Sequence, residues 1–340
     1  MIKQNPTIVW HNVESWGIEG KGWHDTARYF DRLPTRAEER VRDTVWDLSR
    51  HTAGMCVRFT TDAPVIHVRF ALLHEQLAMA HMPASGVSGL DLYAEDEDGT
   101  QRWVSIVAPL EQSIDTVIAQ NLVPGSRRYT IYLPLFNGVQ YLEVGTAEDD
   151  SFVPEAPRNE PPIVFYGTSI THGACASRAG MSFPAILGRT LRKPTINLGF
   201  SGNGQMEIEL ADLLAELDPC IYVIDCLPNM TPELVAERTE PLVHRLREAR
   251  SETPILLVED RTFANARFLQ SHLELHERRR AALRTSYENL IVDDIPDLHY
   301  MEGAGILGHD GEATTDGSHP NDLGMMRYAE VYEKVLRELI

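Results

Sequence analysis

Apolar and polar positions follow two different rhythms along the chain, and the change falls near residue 160. Before it, short runs alternate apolar with polar residues, at 57–60, 65–70, 103–106, 129–133 and 141–144. A strand sends successive side chains to opposite faces, so this rhythm predicts strands buried on one side. Turn pairs such as Asp98-Gly99, Pro124-Gly125 and Asn137-Gly138 separate the runs. Many half-buried strands predict a β-sandwich. Trp10, Trp16, Trp23, Trp46 and Trp103 all fall in this half and are read as its core.

The second rhythm begins after residues 154–162, which hold Pro154, Pro157, Pro161 and Pro162. Prolines at that density sustain neither a helix nor a central strand, so a linker is expected here. From residue 163 onward, continuous apolar runs at 163–166, 196–200, 221–227, 255–258 and 290–292 alternate with helical patterns. Runs apolar throughout suit parallel strands covered on both faces. Between them Met206, Leu210, Leu213, Leu214 and Leu217 mark one helical stripe. Thr231 and Pro232 open a second helix as N-cap and first residue, and a third follows Pro320. Five strands with flanking helices predict a three-layer α/β domain. The expected domains are therefore 1–153, a linker over 154–162, and 163–340.

Charge narrows the range of partners. The formal net charge of −19 predicts repulsion from nucleic acid and from anionic membrane surfaces. No apolar run is long enough to span a bilayer, and Met1 to Pro6 lack the apolar core of a signal peptide. A reduced, cytoplasmic protein is expected, with a secreted protein trimmed of its leader left open, and a homo-oligomer likewise. Cys56, Cys175, Cys220 and Cys226 show neither a disulfide framework nor metal-site spacing, and Cys175 is read as structural.

In an open parallel sheet the site lies outside the carboxyl ends of the strands. The first predicted strand leads into Gly167-Thr168-Ser169, and the second into Ser201-Gly202-Asn203-Gly204. The third leads into Pro228-Asn229, the fourth into Glu259-Asp260-Arg261, and Asp316-Gly317-Ser318-His319 precedes the last helix. A serine hydroxyl needs a base before it can attack, and His319 is the candidate. Asp316, three residues earlier, can hold one ring nitrogen and leave the other for Ser169. An oxyanion needs donors fixed in advance, and the N–H groups of Ser169 and Gly202 with the amide of Asn229 qualify. Each residue also has an ordinary role: helix cap for Ser169, turn for Gly202 and Asp316, cap for Asn229 and His319. The set in this order outweighs them. His172, Arg178, Glu259, Asp260 and Arg261 are expected on the same rim, as substrate contacts or as solvated loop. Arg278-Arg279-Arg280 is read as a solvated helix face. No GxSxG, dinucleotide fingerprint or phosphate loop is present.

Together these blocks resemble the SGNH (GDSL-type) hydrolase superfamily. Gly167-Thr168-Ser169 stands where many members have Gly-Asp-Ser, Asn197 to Gly202 is similar to the second block, and Asp316-x-x-His319 to the last. Cys226-Leu227-Pro228-Asn229 departs from the common Gly-x-Asn-Asp form. Gly89-Leu90-Asp91-Leu92-Tyr93 and the stretch Trp46 to Gly54 resemble a subfamily with a GxDLY β-sandwich ahead of the hydrolase domain. The resemblance implies a flavodoxin-like α/β domain behind a jelly-roll-like sandwich, and serine esterase chemistry without cofactor or metal. The expected substrate is a small-molecule or glycan ester, with acetyl on a carbohydrate as the family-level choice. Acyl transfer to another hydroxyl is the alternative, and a non-catalytic carbohydrate-binding protein the third.

Overall fold

Alternation in the first half of the chain closes two antiparallel sheets, as seen in a computed structural model that describes residues 6–340. Most of the stretch tested for a leader, Met1 to Asn5, lies outside the described residues. One sheet has the order β1 (Ile8–Asn12), β8 (Val139–Ala147), β3 (Val65–Leu72), β6 (Ser113–Gln120). The other runs β5 (Gln101–Val107), β4 (Leu90–Glu95), β7 (Arg127–Tyr132), β2 (Cys56–Thr61), β9 (Phe152–Glu155). Their inner faces share a core that includes Phe59, Ile66, Val68, Phe70, Leu92, Ile131 and Leu142. Strand β9 carries Pro154, so the expected linker starts two residues later than its prolines suggest. An edge strand tolerates proline because one of its sides has no hydrogen bonds to lose.

The second half forms a parallel sheet of order β11 (Thr195–Gly199), β10 (Ile163–Gly167), β12 (Ile221–Asp225), β13 (Ile255–Val258), β14 (Leu298–Met301). Ile163 and Phe165 face the helices α4 (Phe183–Thr190) and α8 (Asp322–Leu339). Val164 and Tyr166 face α5 (Ile208–Leu214), α6 (Pro232–Ala249) and α7 (Gln270–Val292). This is the three-layer, flavodoxin-like arrangement, and its strand order reverses at β10 and β12. One strand differs from expectation. Leu290-Ile291-Val292 ends α7, with Leu290 buried while Ile291 and Val292 are exposed, as a helical period requires. The fifth strand is the edge strand Leu298–Met301, whose half-buried middle residues give no continuous apolar run.

The domains interlock. Residues 20–50, with helix α1 (Asp43–Ser49), bridge the two domains: Tyr29 and Phe30 stay with the sandwich core, while Trp23, Leu33, Val45 and Trp46 join the core of α5 and α6. Arg36 to Glu216 and Arg40 to Asp212 bridge the same seam at the surface. Exposed pairs contribute ~0–1 kcal/mol each, whereas a fully buried large apolar side chain contributes about 1.5–3 kcal/mol. Apolar burial therefore holds this segment. The tryptophans accordingly do not share one core: Trp23 and Trp46 belong to the α/β domain, and Trp103 is 51% exposed.

Candidate active site

Strand β10 ends at Gly167, and the next residue, Thr168, is fully buried in extended conformation. Its side chain caps the short helix α3 (Ser169–His172) by accepting from the Ile170 N–H at 3.3 Å. The chain thus turns from strand to helix within two residues. Ser169 becomes the first helical residue, nearly buried, at the edge of the strand where the sheet order reverses.

The opposing arm comes from the loop between β14 and α8. Asp316 Oδ1 accepts from the N–H groups of Ser318 at 2.9 Å and His319 at 2.8 Å, which folds the loop back on itself. Asp316 Oδ2 accepts from His319 Nδ1 at 2.7 Å. An ionised carboxylate only accepts, so Nδ1 carries the ring hydrogen and Nε2 is left to accept from the Ser169 hydroxyl, 2.9 Å away. Partial burial pushes the Asp316 carboxyl upward. The hydrogen bonds from the His319 N–H, its ring and the Ser318 N–H outweigh that and hold it at about 2, ionised through the neutral range. Further bonds fix the loop: Thr315 N–H to His319 O at 2.9 Å, Ala264 N–H to Gly317 O at 2.9 Å, and Ser177 to the Asp322 carboxylate.

Gly167 pairs with Gly199 on one side and with Asp225 on the other, so the loops after β10, β11 and β12 leave the sheet side by side. Gly202 lies in the second loop at φ +71°, a conformation costly for other residues, and no atom stands within 4 Å of where a Cβ would be. Its N–H and that of Ser169 donate to no protein acceptor among the described residues. Asn229, on the third loop, accepts from the Gly204 N–H at 3.3 Å through Oδ1, which leaves its amide hydrogens uncommitted. A base-paired hydroxyl with neutral donors on neighbouring loops can carry out acyl transfer.

The other rim candidates are placed differently. His172 is fully buried, hydrogen-bonded to Leu135 O at 2.7 Å and stacked on Phe136, so burial pushes its ring well below the usual range. Arg178 reaches the sandwich, where it meets Tyr93 and holds the buried Asp91 carboxylate at 2.8 Å. Glu259 is buried, accepting from Arg284 at 2.8 Å, Tyr300 at 2.6 Å and the Gly303 N–H at 2.9 Å. Each of the three is committed to protein partners. Cys175 is also buried, which pushes its thiol up and away from reactivity.

Asp260 and Arg261 form a buried pair beneath the loop. Burial pushes Asp260 up, but Arg261, His276 and Arg279 prevail and hold it at about 2. Arg280 donates to the Asp260 carbonyl at 2.6 Å, so Arg279 and Arg280 are ligands of this cluster, and of the three only Arg278 lies on the solvated surface, where it pairs with Glu233. Arg261 in turn donates to the Ser318 carbonyl at 3.2 and 3.3 Å and meets the Ser318 hydroxyl. It is not a rim contact but a brace on the residue next to His319. Its place after a strand end was visible in the sequence; its partner, 57 residues away, was not.

Two family models match the chain. The GDSL-like lipase/acylhydrolase family covers residues 160–337, and the GxDLY N-terminus of SGNH-hydrolase-type esterases covers residues 8–152. No curated protein matches it. Among solved structures, a GDSL-like lipase from Bacteroides ovatus is 31% identical with a TM-score of 0.93, covering 98% of each chain. The salicylyl-acyltransferase SsfX3 of a tetracycline biosynthetic pathway is 17% identical at TM-score 0.77, covering 98% of this chain and 97% of its own. A family two carbohydrate esterase from Clostridium thermocellum, in complex with cellohexaose, is 14% identical at TM-score 0.61, covering 84% and 92%. The last two share the fold; their identity is too low to carry an activity across.

Proposed function

The chain belongs to the GDSL-like lipase/acylhydrolase family, and from that premise we propose that it is a serine esterase acting through Ser169, His319 and Asp316. The observation that carries this reading is the unbroken relay from the Ser169 hydroxyl to His319 at 2.9 Å and on to the Asp316 carboxylate at 2.7 Å. Ser169 Oγ forms a bond to the ester carbonyl carbon as its proton passes to His319 Nε2. The tetrahedral oxyanion is received by the N–H groups of Ser169 and Gly202 and by the Asn229 amide. Collapse breaks the bond to the leaving alcohol, which takes the proton from His319. Water then attacks the acyl-enzyme with His319 as base, and Ser169 is restored.

Hydrolysis is favoured over transfer by one feature. Transfer to another hydroxyl needs water kept from the acyl-enzyme, whereas the side chains of His319 and Asp316 are 26% and 42% exposed. The substrate class taken for it, a small acyl group such as acetyl on a carbohydrate, follows the carbohydrate esterase that shares the fold. The test is labelling by an organophosphonate, followed by mass mapping, alongside turnover of p-nitrophenyl acetate. A wild type that neither forms an adduct at Ser169 nor releases p-nitrophenol sinks the reading, and acylation of an added alcohol in preference to water sinks its hydrolytic half.

A further inference from the structure

We propose that His81, from the β-sandwich, binds the alcohol part of the ester and sets the specificity of the site for hydroxyl-rich alcohols. This rests on the esterase reading above. After β3 the chain crosses to the α/β domain, where Met79 and Met82 exchange N–H to carbonyl bonds of 2.9 and 3.1 Å. They close a tight turn with Ala80 and His81 at its tip. Met82 is buried, and Met79 packs on the same apolar cluster, which includes Ala174, Cys175 and Leu307 of the α/β domain.

The stem beyond the turn is fastened as well. The Ser85 hydroxyl donates to the Ser177 carbonyl at 2.6 Å, and the backbone at Gly86 lies against the Ala176 carbonyl where a Cβ would not fit. The tip is thereby held over the loop that carries His319. The His81 and His319 rings are 6.0 Å apart, centroid to centroid, and tilted by 40°. His81 is exposed, and its ring nitrogens have no protein partner among the described residues.

The side of the site on which His81 stands identifies what it meets. The oxyanion donors leave the sheet after β10, β11 and β12, at one end of the strand order, and His319 follows β14 at the other. The leaving oxygen must receive its proton from His319, so the alcohol occupies the His319 side. A neutral imidazole offers one donor and one acceptor, which matches a hydroxyl adjacent to the ester oxygen on a sugar or polyol. A phenolic leaving group has no such hydroxyl.

The full-length chain and the variants His81→Ala and His81→Gln are compared on p-nitrophenyl acetate and on monoacetylated methyl glycosides. His81→Ala is expected to lose about three- to tenfold in kcat/KM on the glycoside acetates, the worth of one hydrogen bond, and distinctly less on the phenyl ester. His81→Gln, which keeps a donor and an acceptor, recovers part of the difference. Equal losses on both ester classes, no loss on either, or a wild type inert towards the glycoside acetates would each overturn the assignment. Phosphonate labelling separates the two failures: an adduct at Ser169 with those outcomes removes only His81, and no adduct removes the esterase reading with it.

Discussion

Ser169 stands at the end of a strand in which no residue is exposed, whereas Asp316 and His319 stand on a loop open to solvent. The two halves of the relay meet at 2.9 Å by different physics. The nucleophile is placed by packing: β10 is hydrogen-bonded on both sides, and its residues fill the cores above and below the sheet. The acid–base arm itself, Thr314 to His319, puts no side chain into those cores, although the loop around it is anchored there by Ile306, Leu307 and Ala313. It is placed by hydrogen bonds: the Asp316 turn, the ties to Ala264 and Ser177, and Arg261 reaching up from a buried charge cluster. Packing resists displacement from every direction, while a hydrogen-bonded loop depends on a few named donors. The two halves should therefore fail differently when touched.

The sharpest contrast uses substitutions in the reacting groups. Ser169→Ala should lower kcat/KM by about 10⁶-fold, and Asp316→Asn by about 10⁴-fold, since a neutral amide neither orients nor supports the imidazolium. Thermal melts of both should stay within a few degrees of wild type. For Asp316 this follows from its exposure, because solvent screens most of what its low-lying carboxyl contributes. That contribution is present above the ordinary carboxyl value and is lost only as pH falls from near 4 towards 2. An Asp316→Asn variant with wild-type activity would remove Asp316 from the chemistry.

How much of this was legible in the sequence follows the same division. Strands packed on both faces announce themselves as apolar runs, and residues just past them could be named as a site without coordinates. The edge strand Leu298–Met301 was hidden because its middle residues are half-buried, so no run marks it. The cluster under the loop was hidden for another reason. Arg279 and Arg280 sit on a charged helix, and only the fold shows that they point at Asp260, 19 and 20 residues earlier. His81 had no sequence signal, because a sandwich loop's approach to a distant catalytic loop is a matter of tertiary contact. Residues 20–50 were assigned to the sandwich by position, yet only Phe30 and Tyr29 pack in its core, while Trp23, Leu33, Ala37, Val41, Val45 and Trp46 complete the other domain's.

A substitution one step behind the chemistry tests the claim that hydrogen bonds place the loop. Arg261→Met removes the brace on Ser318 and leaves Asp260 with one fewer cation in a fully buried setting. The activity loss should be about 10²-fold, the scale set by a misplacement near 1 Å, and should fall on kcat rather than KM. Stability should drop by about 3–5 kcal/mol, as for any buried pair broken from one side. Arg261→Lys keeps the charge but not the fork, and should recover stability more fully than kcat. If both variants lose stability alone, with kcat intact, the loop is held by something other than Arg261.

The smallest expected effect on activity, and the cleanest on stability, lies at the seam between the two halves. Asp225 ends β12 opposite Gly167 and hydrogen-bonds to Tyr332 at 2.9 Å, within the field of Asp260 and Arg261. Burial raises its carboxyl to about 7, more than the Tyr332 hydrogen bond and Arg261 lower it. The folded protein thus keeps the proton to about pH 7, while the unfolded chain releases it near 4. Stability from this group is complete below about pH 4 and is lost progressively as pH rises from there to about 7. Asp225→Asn keeps a neutral partner for Tyr332 and has no proton to lose. Denaturant melts should show the variant equal to wild type near pH 4. Above pH 7 it should be more stable by a few kcal/mol, on the order of 1.4 kcal/mol for each pH unit between the folded and unfolded carboxyl values. A variant that follows the wild-type pH curve would mean that Asp225 is already charged in the fold. Arg261 would then be shared between two carboxylates instead of being free for Asp260 and Ser318.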